Sequence, residues 1–125
     1  MFAKISNRAK EVEPTKHFLA GASHEPLITY LRALMSAFPD AIGTCQPALV
    51  VYNAGTDILA GDPLGDLGVS AEGIIARDRY VIDTCADRTL PLLIVPSGGY
   101  TEFSHRLITE MLQHVLRQVD QTGNT

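Results

Sequence analysis

Apolar residues recur at helical spacing in three segments, and two short apolar runs without polar alternation lie between those segments. The first helical segment begins at Glu25 with Ser23 as its N-cap, whereas residues 1–22 are polar and irregular. We expect Pro39 to end this helix, because proline lacks a backbone N–H and its ring clashes with the preceding turn. The residues that share the apolar face are Leu27, Tyr30, Leu31, Leu34 and Phe38.

The same periodicity predicts two more helices later in the chain. The second helix begins after the cap residue Ser70, and the third ends before Gly123. The inner face of the second helix consists of Ala71, Ile74, Ile75, Val81, Ile82 and Cys85. The inner face of the third helix consists of Phe103, Leu107, Met111, Leu112, Val115 and Val119.

The two apolar runs are ALVVYNA at 48–54 and LPLLIVP at 90–96. Their length and composition predict strands that are covered on both faces. Because a helix connects them, the strands should be parallel, with a right-handed connection. We therefore predict an α/β fold, a three-layer α/β/α arrangement in which helices cover both faces of a parallel sheet.

Residues that can carry chemistry follow both predicted strands. Asp57 lies in a turn just past the first strand, and Tyr100 follows the second strand in the sequence SGGY. The carboxyl ends of parallel strands meet at one edge of a sheet, where ligands bind, so both residues should emerge there. On these grounds alone Asp57 is open to three interpretations: a metal ligand, a phosphoryl acceptor or a turn residue.

Composition narrows the class of protein and its partners. The chain has 125 residues, 46% hydrophobic and 19% charged, which suits one domain with an apolar core. A net charge of -4 argues against broad binding to nucleic acid. No signal peptide is apparent, and no segment approaches the roughly 20 apolar residues of a membrane span. Cys45 and Cys85 lie in no metal or redox motif, which favours buried thiols in a reducing compartment. We expect an intracellular, cytoplasmic protein, or a nuclear one in a eukaryote.

Two linked motifs resemble a known family. YNAGTDILAGDPLGDLGVSAEGI, which begins at Tyr52, and LLIVPSGGY, which ends at Tyr100, resemble the C-terminal part of zinc-dependent histone deacetylases. YNAGTDIL together with RDRYVID is most similar to class IV enzymes and their bacterial relatives. The resemblance runs from about residue 2 to about residue 116 and is strong over 48–100. It implies that residues 1–125 are a single partial domain, the C-terminal part of an arginase/deacetylase-like fold.

The resemblance also implies roles for individual residues. Asp57 falls on the last zinc ligand of the family, and Tyr100 falls on the catalytic tyrosine that donates to the oxyanion. Leu64 falls on the wall of the acyl channel. Gly98 and Gly99 let the backbone approach the substrate, where a Cβ would intrude. The implied substrates are acyl-lysine in a protein or an acylated small amine, and the implied cofactor of the complete domain is zinc.

Other parts of the family's metal site do not occur in this sequence. There is no Asp-x-His motif and no adjacent His pair, and we expect the chain to start too late to contain them. The four histidines, at 17, 24, 105 and 114, have no ligand spacing, so surface or cap roles are expected. Asp62 and Asp66 are interpreted as turn residues. We therefore expect the isolated chain to be inactive and to hold zinc weakly, if at all.

Two further interpretations follow from this incompleteness. A parallel sheet cut short exposes apolar surface and a free edge, which predicts association with itself or with a missing N-terminal segment. The alternative to an enzyme part is a truncated, non-catalytic binding or regulatory module of the same family. A phosphoacceptor receiver domain is disfavoured, because Glu11 and Glu13 are not adjacent and no lysine follows Ala86.

Overall fold

The computed structural model describes residues 26–123. The predicted N-cap Ser23 and the irregular segment 1–22 lie outside the described residues. The elements are α1 (Pro26–Cys45), β1 (Val50–Asn53), α2 (Ala71–Asp87), β2 (Leu92–Val95) and α3 (Ser104–Thr122). This order confirms the predicted succession of helix, strand, helix, strand and helix.

The two strands pair in parallel, and Tyr52 lies opposite Ile94 in the register. The predicted α/β class with parallel strands is therefore confirmed. Helices α2 and α3 pack on one face of the sheet, where Tyr52 and Ile94 contact a buried cluster containing Ile82 and Met111. On the opposite face Val51, Leu93 and Val95 are exposed. The second helical layer that we predicted is therefore not among the described residues.

The prediction that Pro39 ends the first helix is wrong, because α1 continues through Pro39 to Cys45. A proline at this position leaves the carbonyl of Met35 without its usual backbone donor. The hydroxyl of Tyr80, on α2, donates to that carbonyl at 3.3 Å. The ring of Tyr80 also meets Phe38 edge-on, with centroids 6.5 Å apart. A side chain from another helix thus compensates for the proline.

The loop after β1 belongs to the core. Leu59 forms an isolated parallel bridge with Val69, and both side chains are buried with Ile74 and Leu107. The cap at the start of α2 is as predicted, since the hydroxyl of Ser70 accepts the backbone N–H of Gly73 at 3.1 Å. Because this packing fixes both ends of the loop, it also fixes the turn that carries Asp57.

The inner faces of α2 and α3 agree with the sequence to different degrees. On α2, Ile74, Val81, Ile82 and Cys85 are buried, as predicted. On α3, Leu107 and Met111 are buried as predicted, and Val119 lies with Val115 along a groove shared with Ile82 of α2, although it is more than half exposed. Phe103 and Leu112 are also more than half exposed, so their assignment to the inner face is wrong. For Leu112 the reason is geometric, because it lies one turn from exposed Leu116, on a different side of the helix from Leu107 and Met111.

The cysteines are both free. Cys85 is buried as expected, and burial raises the pKa of its thiol. Cys45 is exposed, contrary to expectation, because it is the last residue of α1. Between residues 26 and 123, no helix is both long enough and apolar enough to cross a membrane.

Candidate functional site

The segments that follow the two strands meet at one edge of the sheet. We refer to residues 55–57 as the Asp57 turn and to residues 98–100 as the GGY segment. The backbone N–H of Thr56 donates to the carbonyl of Gly98 at 2.6 Å. Two residues earlier, the N–H of Ala54 donates to the carbonyl of Val95 at 2.9 Å. The sheet pairing therefore continues into both segments and brings them into contact.

Glycines enclose the carboxylate of Asp57. A Cβ built on Gly98 would lie 2.9 Å from Asp57 Cγ, and one on Gly55 would lie 2.9 Å from its Oδ1. A Cβ on Gly65 would lie 2.7 Å from the backbone carbonyl carbon of Asp57. Among the described residues, this half-buried carboxylate accepts no hydrogen bond. Close packing therefore holds it in place and leaves its oxygens available to a cation.

Asp62 connects the loop after β1 to the GGY segment. Its Oδ1 accepts the backbone N–H groups of Leu64 at 2.9 Å and Gly65 at 3.1 Å. Its Oδ2 accepts the backbone N–H of Tyr100 at 2.9 Å. Burial by itself raises the pKa of Asp62, but these three hydrogen bonds hold it below its usual value. Asp62 is a turn residue as predicted, since its Oδ1 accepts N–H groups from its own loop. The contact of its Oδ2 with Tyr100 was not predicted.

The backbones of Leu64 and Tyr100 are held by hydrogen bonds, whereas their side chains are exposed. Both donate their backbone N–H groups to Asp62, while their side chains are 71% and 57% exposed. The structure thus brings the two residues to a common anchor. Their roles in a channel wall and as an oxyanion donor remain predictions.

Gly99 lies against a buried pair of hydroxyls. The hydroxyl of Thr56 donates to that of Ser104, the first residue of α3, at 2.9 Å. A Cβ on Gly99 would lie 2.9 Å from the oxygen of Ser104 and would collide with the Thr56 hydroxyl. A side chain at this position would therefore push the GGY segment away from the Asp57 turn. Sequence reasoning did not find this pair, since the two residues are 48 positions apart.

A buried ion pair on α2 reaches the Asp57 turn. Arg77 Nη1 donates to the carbonyl of Gly55 at 2.8 Å, and Arg77 Nε donates to Asp78 Oδ1 at 2.9 Å. The hydroxyl of Tyr52 donates to the same Asp78 oxygen, and the guanidinium lies 5.6 Å from the centre of the Tyr52 ring. One signal for this network was present in the sequence: Asp78 interrupts the apolar stripe of α2.

The pKa values of this network favour the charged arginine. Burial lowers the pKa of Arg77, but interactions with its neighbours, among them the hydrogen-bonded carboxylate of Asp78, raise it above its usual value. Burial also raises the pKa of the Tyr52 hydroxyl, which therefore stays protonated and donates to Asp78. The guanidinium is consequently a permanent cation that directs one N–H at the Asp57 turn.

The described residues do not form a complete metal centre. Within residues 26–123, no group of three or more His, Cys, Asp or Glu side chains is placed to hold an ion. Zinc sites use three or more protein ligands, so Asp57 fits such a site as one ligand among several. His105 is exposed, and His114 Nε2 lies 2.6 Å from Asp83 Oδ1 between α3 and α2. His17 and His24 lie outside the described residues.

Known proteins are similar to more than half of this chain. The model of the histone deacetylase domain family matches residues 19–117. Histone deacetylase 2 of Arabidopsis thaliana is 46% identical over 89 residues, which are 71% of this chain and 23% of the relative. An uncharacterised protein of Picosynechococcus is 37% identical over 79 residues, 63% of this chain and 26% of the relative. Histone deacetylase 8 of Xenopus laevis is 32% identical over 71 residues, 57% of this chain and 21% of the relative. The chain thus spans about a quarter of the length of these relatives.

Proposed function

Because the chain belongs to the histone deacetylase family, we propose that it forms the C-terminal part of a zinc-dependent deacetylase domain. The substrate would be the amide of acyl-lysine in a protein or of an acylated small amine. The relationship to class IV enzymes and an intracellular location belong to the same proposal. The observation that carries it is the contact of the Asp57 turn with the GGY segment, through the Thr56 N–H and the Gly98 carbonyl.

We propose that Asp57 contributes one zinc ligand in the complete domain. Its support is a half-buried carboxylate that glycines enclose and that accepts no hydrogen bond from the described residues. Zinc, when bound, polarises an amide carbonyl and lowers the pKa of a water molecule. The other ligands would come from another part of the domain, because the described residues supply no cluster that could hold the ion.

Tyr100 is proposed to donate its hydroxyl to the oxyanion of the tetrahedral intermediate. Asp62 fixes its backbone, and its side chain is exposed at the edge where the Asp57 turn lies. Leu64, whose backbone Asp62 also fixes, would contribute to the wall of the acyl channel. Gly98 and Gly99 would let this segment lie against Asp57 and the Thr56–Ser104 pair, with its backbone next to the substrate.

The exposed side chains on one face of the sheet support a proposal about assembly. Val51, Leu93 and Val95 form an apolar surface on the face opposite α2 and α3, which we call the open sheet face. Burial of such a surface is favourable, so a further segment of the domain or a second copy of this chain would cover it.

A chimera tests the enzymatic proposal. The matching segment of Arabidopsis histone deacetylase 2 would be replaced by this chain, and hydrolysis of an acetyl-lysine peptide would be followed by mass spectrometry. We expect turnover that is lost in Asp57→Ala and strongly reduced in Tyr100→Phe. The matched controls are Asp66→Ala, in the same loop, and Tyr80→Phe, and both should retain activity. A folded chimera without turnover would favour the non-catalytic module, and full activity of Asp57→Ala would reject the site assignment.

A further inference from the structure

One peptide group in the turn that carries Asp57 is held at both ends. The peptide that joins Gly55 to Thr56 presents its carbonyl to Arg77 Nη1 at 2.8 Å and its N–H to the carbonyl of Gly98 at 2.6 Å. Hydrogen bonds at the two ends of one amide polarise it in the same direction and strengthen each other. The orientation of this peptide sets the direction in which the chain continues through Thr56 to Asp57.

The donor of one of these bonds has no freedom to move. Arg77 is only 3% exposed, and its Nε donates a hydrogen bond to Asp78. Tyr52 lies beneath the guanidinium and also donates to Asp78. Because the guanidinium is planar, these contacts determine where Nη1 points. The position of helix α2 therefore constrains a peptide that lies 22 residues earlier in the chain.

We propose that Arg77 is a positioning residue, which orients the Gly55–Thr56 peptide and thereby the carboxylate of Asp57. Its importance for a metal site rests on the function proposed above for Asp57. The effect of Arg77 on the Asp57 turn is independent of that proposed function, because it involves only the polypeptide. Arg77 touches neither substrate nor metal in this assignment and acts only through the peptide.

A change in the position of the Asp57 turn can be separated experimentally from a change in the stability of the fold. Replacing a buried ion pair by apolar side chains of similar size is often neutral for stability, whereas removing one partner leaves an uncompensated charge. The triple variant Tyr52→Phe/Arg77→Met/Asp78→Leu removes every polar group of the network together. The fold should therefore survive, while the Gly55 carbonyl loses its charged donor.

Amide hydrogen exchange measured by NMR on the whole chain tests the proposal. In the triple variant we expect the Thr56 amide to exchange at least about tenfold faster than in the wild type, as for loss of a hydrogen bond from a charged donor. The Ala54 amide, bonded to the Val95 carbonyl, should keep its protection and serves as the internal control. Tyr52→Phe alone leaves the Arg77 contact with Gly55 in place, so it should keep the protection of Thr56.

Unchanged protection of Thr56 in a folded triple variant would overturn the proposal. If the triple variant does not fold, Arg77→Lys replaces it, because a lysine amine paired with Asp78 leaves the Gly55 carbonyl without its donor. Faster exchange at Thr56 alone in that variant supports the proposal, and wild-type exchange refutes it. Zinc content plays no part in this readout, so a failure of the metal assignment would remain distinguishable from a failure here.

Discussion

Asp62 accepts the backbone N–H of Tyr100 at 2.9 Å, across 38 positions of the sequence. The same carboxylate also organises the loop that carries Leu64, through two further backbone N–H groups. One buried anion therefore determines where two proposed substrate-facing residues leave the backbone. Loss of its charge should loosen both segments together.

The first prediction concerns pH. The folded protein holds the pKa of Asp62 below the ordinary value of 3.8, because backbone N–H groups stabilise the carboxylate. Its contribution to stability is therefore complete above pH 3.8 and disappears as the pH falls through the lower pKa of the folded state. Urea unfolding between about pH 5 and about pH 2, a range that extends below the ordinary aspartate pKa, should show this loss.

Asp62→Asn should remove that part of the acid dependence, and Asp66→Asn should leave it in place. An asparagine directs an NH₂ group at one set of donors, so the amide signals of either Tyr100 or the Leu64–Gly65 pair should shift. Identical acid profiles for the wild type and Asp62→Asn would show that the hydrogen bonds do not stabilise the ionised form.

The second prediction concerns the glycine beside the metal-ligand candidate. Gly98→Ala would place a methyl group 2.9 Å from Asp57 Cγ, so the carboxylate or the GGY segment must move. We expect a loss of about 1–3 kcal/mol in the free energy of unfolding, as for other overpacked sites. In the chimera we expect a loss of turnover as well.

The matched control is Gly43→Ala in α1, where a Cβ would meet nothing within 4 Å. That change should raise stability by about 0.5–1 kcal/mol, because alanine loses less entropy in a helix. Equal effects of the two substitutions on urea unfolding would contradict the close packing of Gly98 on Asp57.

The third prediction concerns the proline in α1. Tyr80→Phe removes the donor to the Met35 carbonyl and should reduce stability by about 0.5–1.5 kcal/mol. In a Pro39→Ala background the new backbone N–H can serve that carbonyl, so the effect of Tyr80→Phe should fall below about 0.5 kcal/mol. A double-mutant cycle by urea denaturation measures the difference. Equal effects in the two backgrounds would mean that the tyrosine does not compensate for the proline.

Several features of this fold could be predicted from local sequence, and others could not. The apolar runs at 48–54 and 90–96 were sufficient to predict two parallel strands, because burial and chain connectivity act on short segments. The helix does not end at Pro39 as local sequence predicts, because the compensating partner, Tyr80, is 41 positions further along the chain. On α3, apolar Leu112 looks like a core residue, although the helix turns it away from the buried side.

In the candidate site, too, some features could be predicted from local sequence and others could not. Asp57 and the GGY segment stand out because glycines and a carboxylate follow a strand directly. The second function of Asp62 and the contact from Arg77 to Gly55 depend on tertiary distances that no local pattern encodes. Asp78, a charged residue within an apolar helical stripe, was the one local sign of the buried network.

The fourth prediction concerns the open sheet face. We expect the chain to associate with itself at micromolar concentration, and Leu93→Lys to weaken that association, because a charge would have to be buried in the contact. Leu112→Lys, at an equally exposed apolar position on α3, should have little effect. Analytical ultracentrifugation measures both. A stable monomer for the wild type would contradict self-association.

Zinc binding by the chimera tests most directly whether Asp57 is a metal ligand. Affinity and stoichiometry would be measured by competition with a chromogenic chelator, for the parent chimera and for the Asp57→Ala and Asp66→Ala variants. We predict one zinc ion per parent chimera and per Asp66→Ala variant. Asp57→Ala should bind zinc at least about 100-fold more weakly, since even the loss of residues that only support a ligand weakens such sites by about 10–100-fold. Equal zinc affinity of the parent and Asp57→Ala would contradict the account.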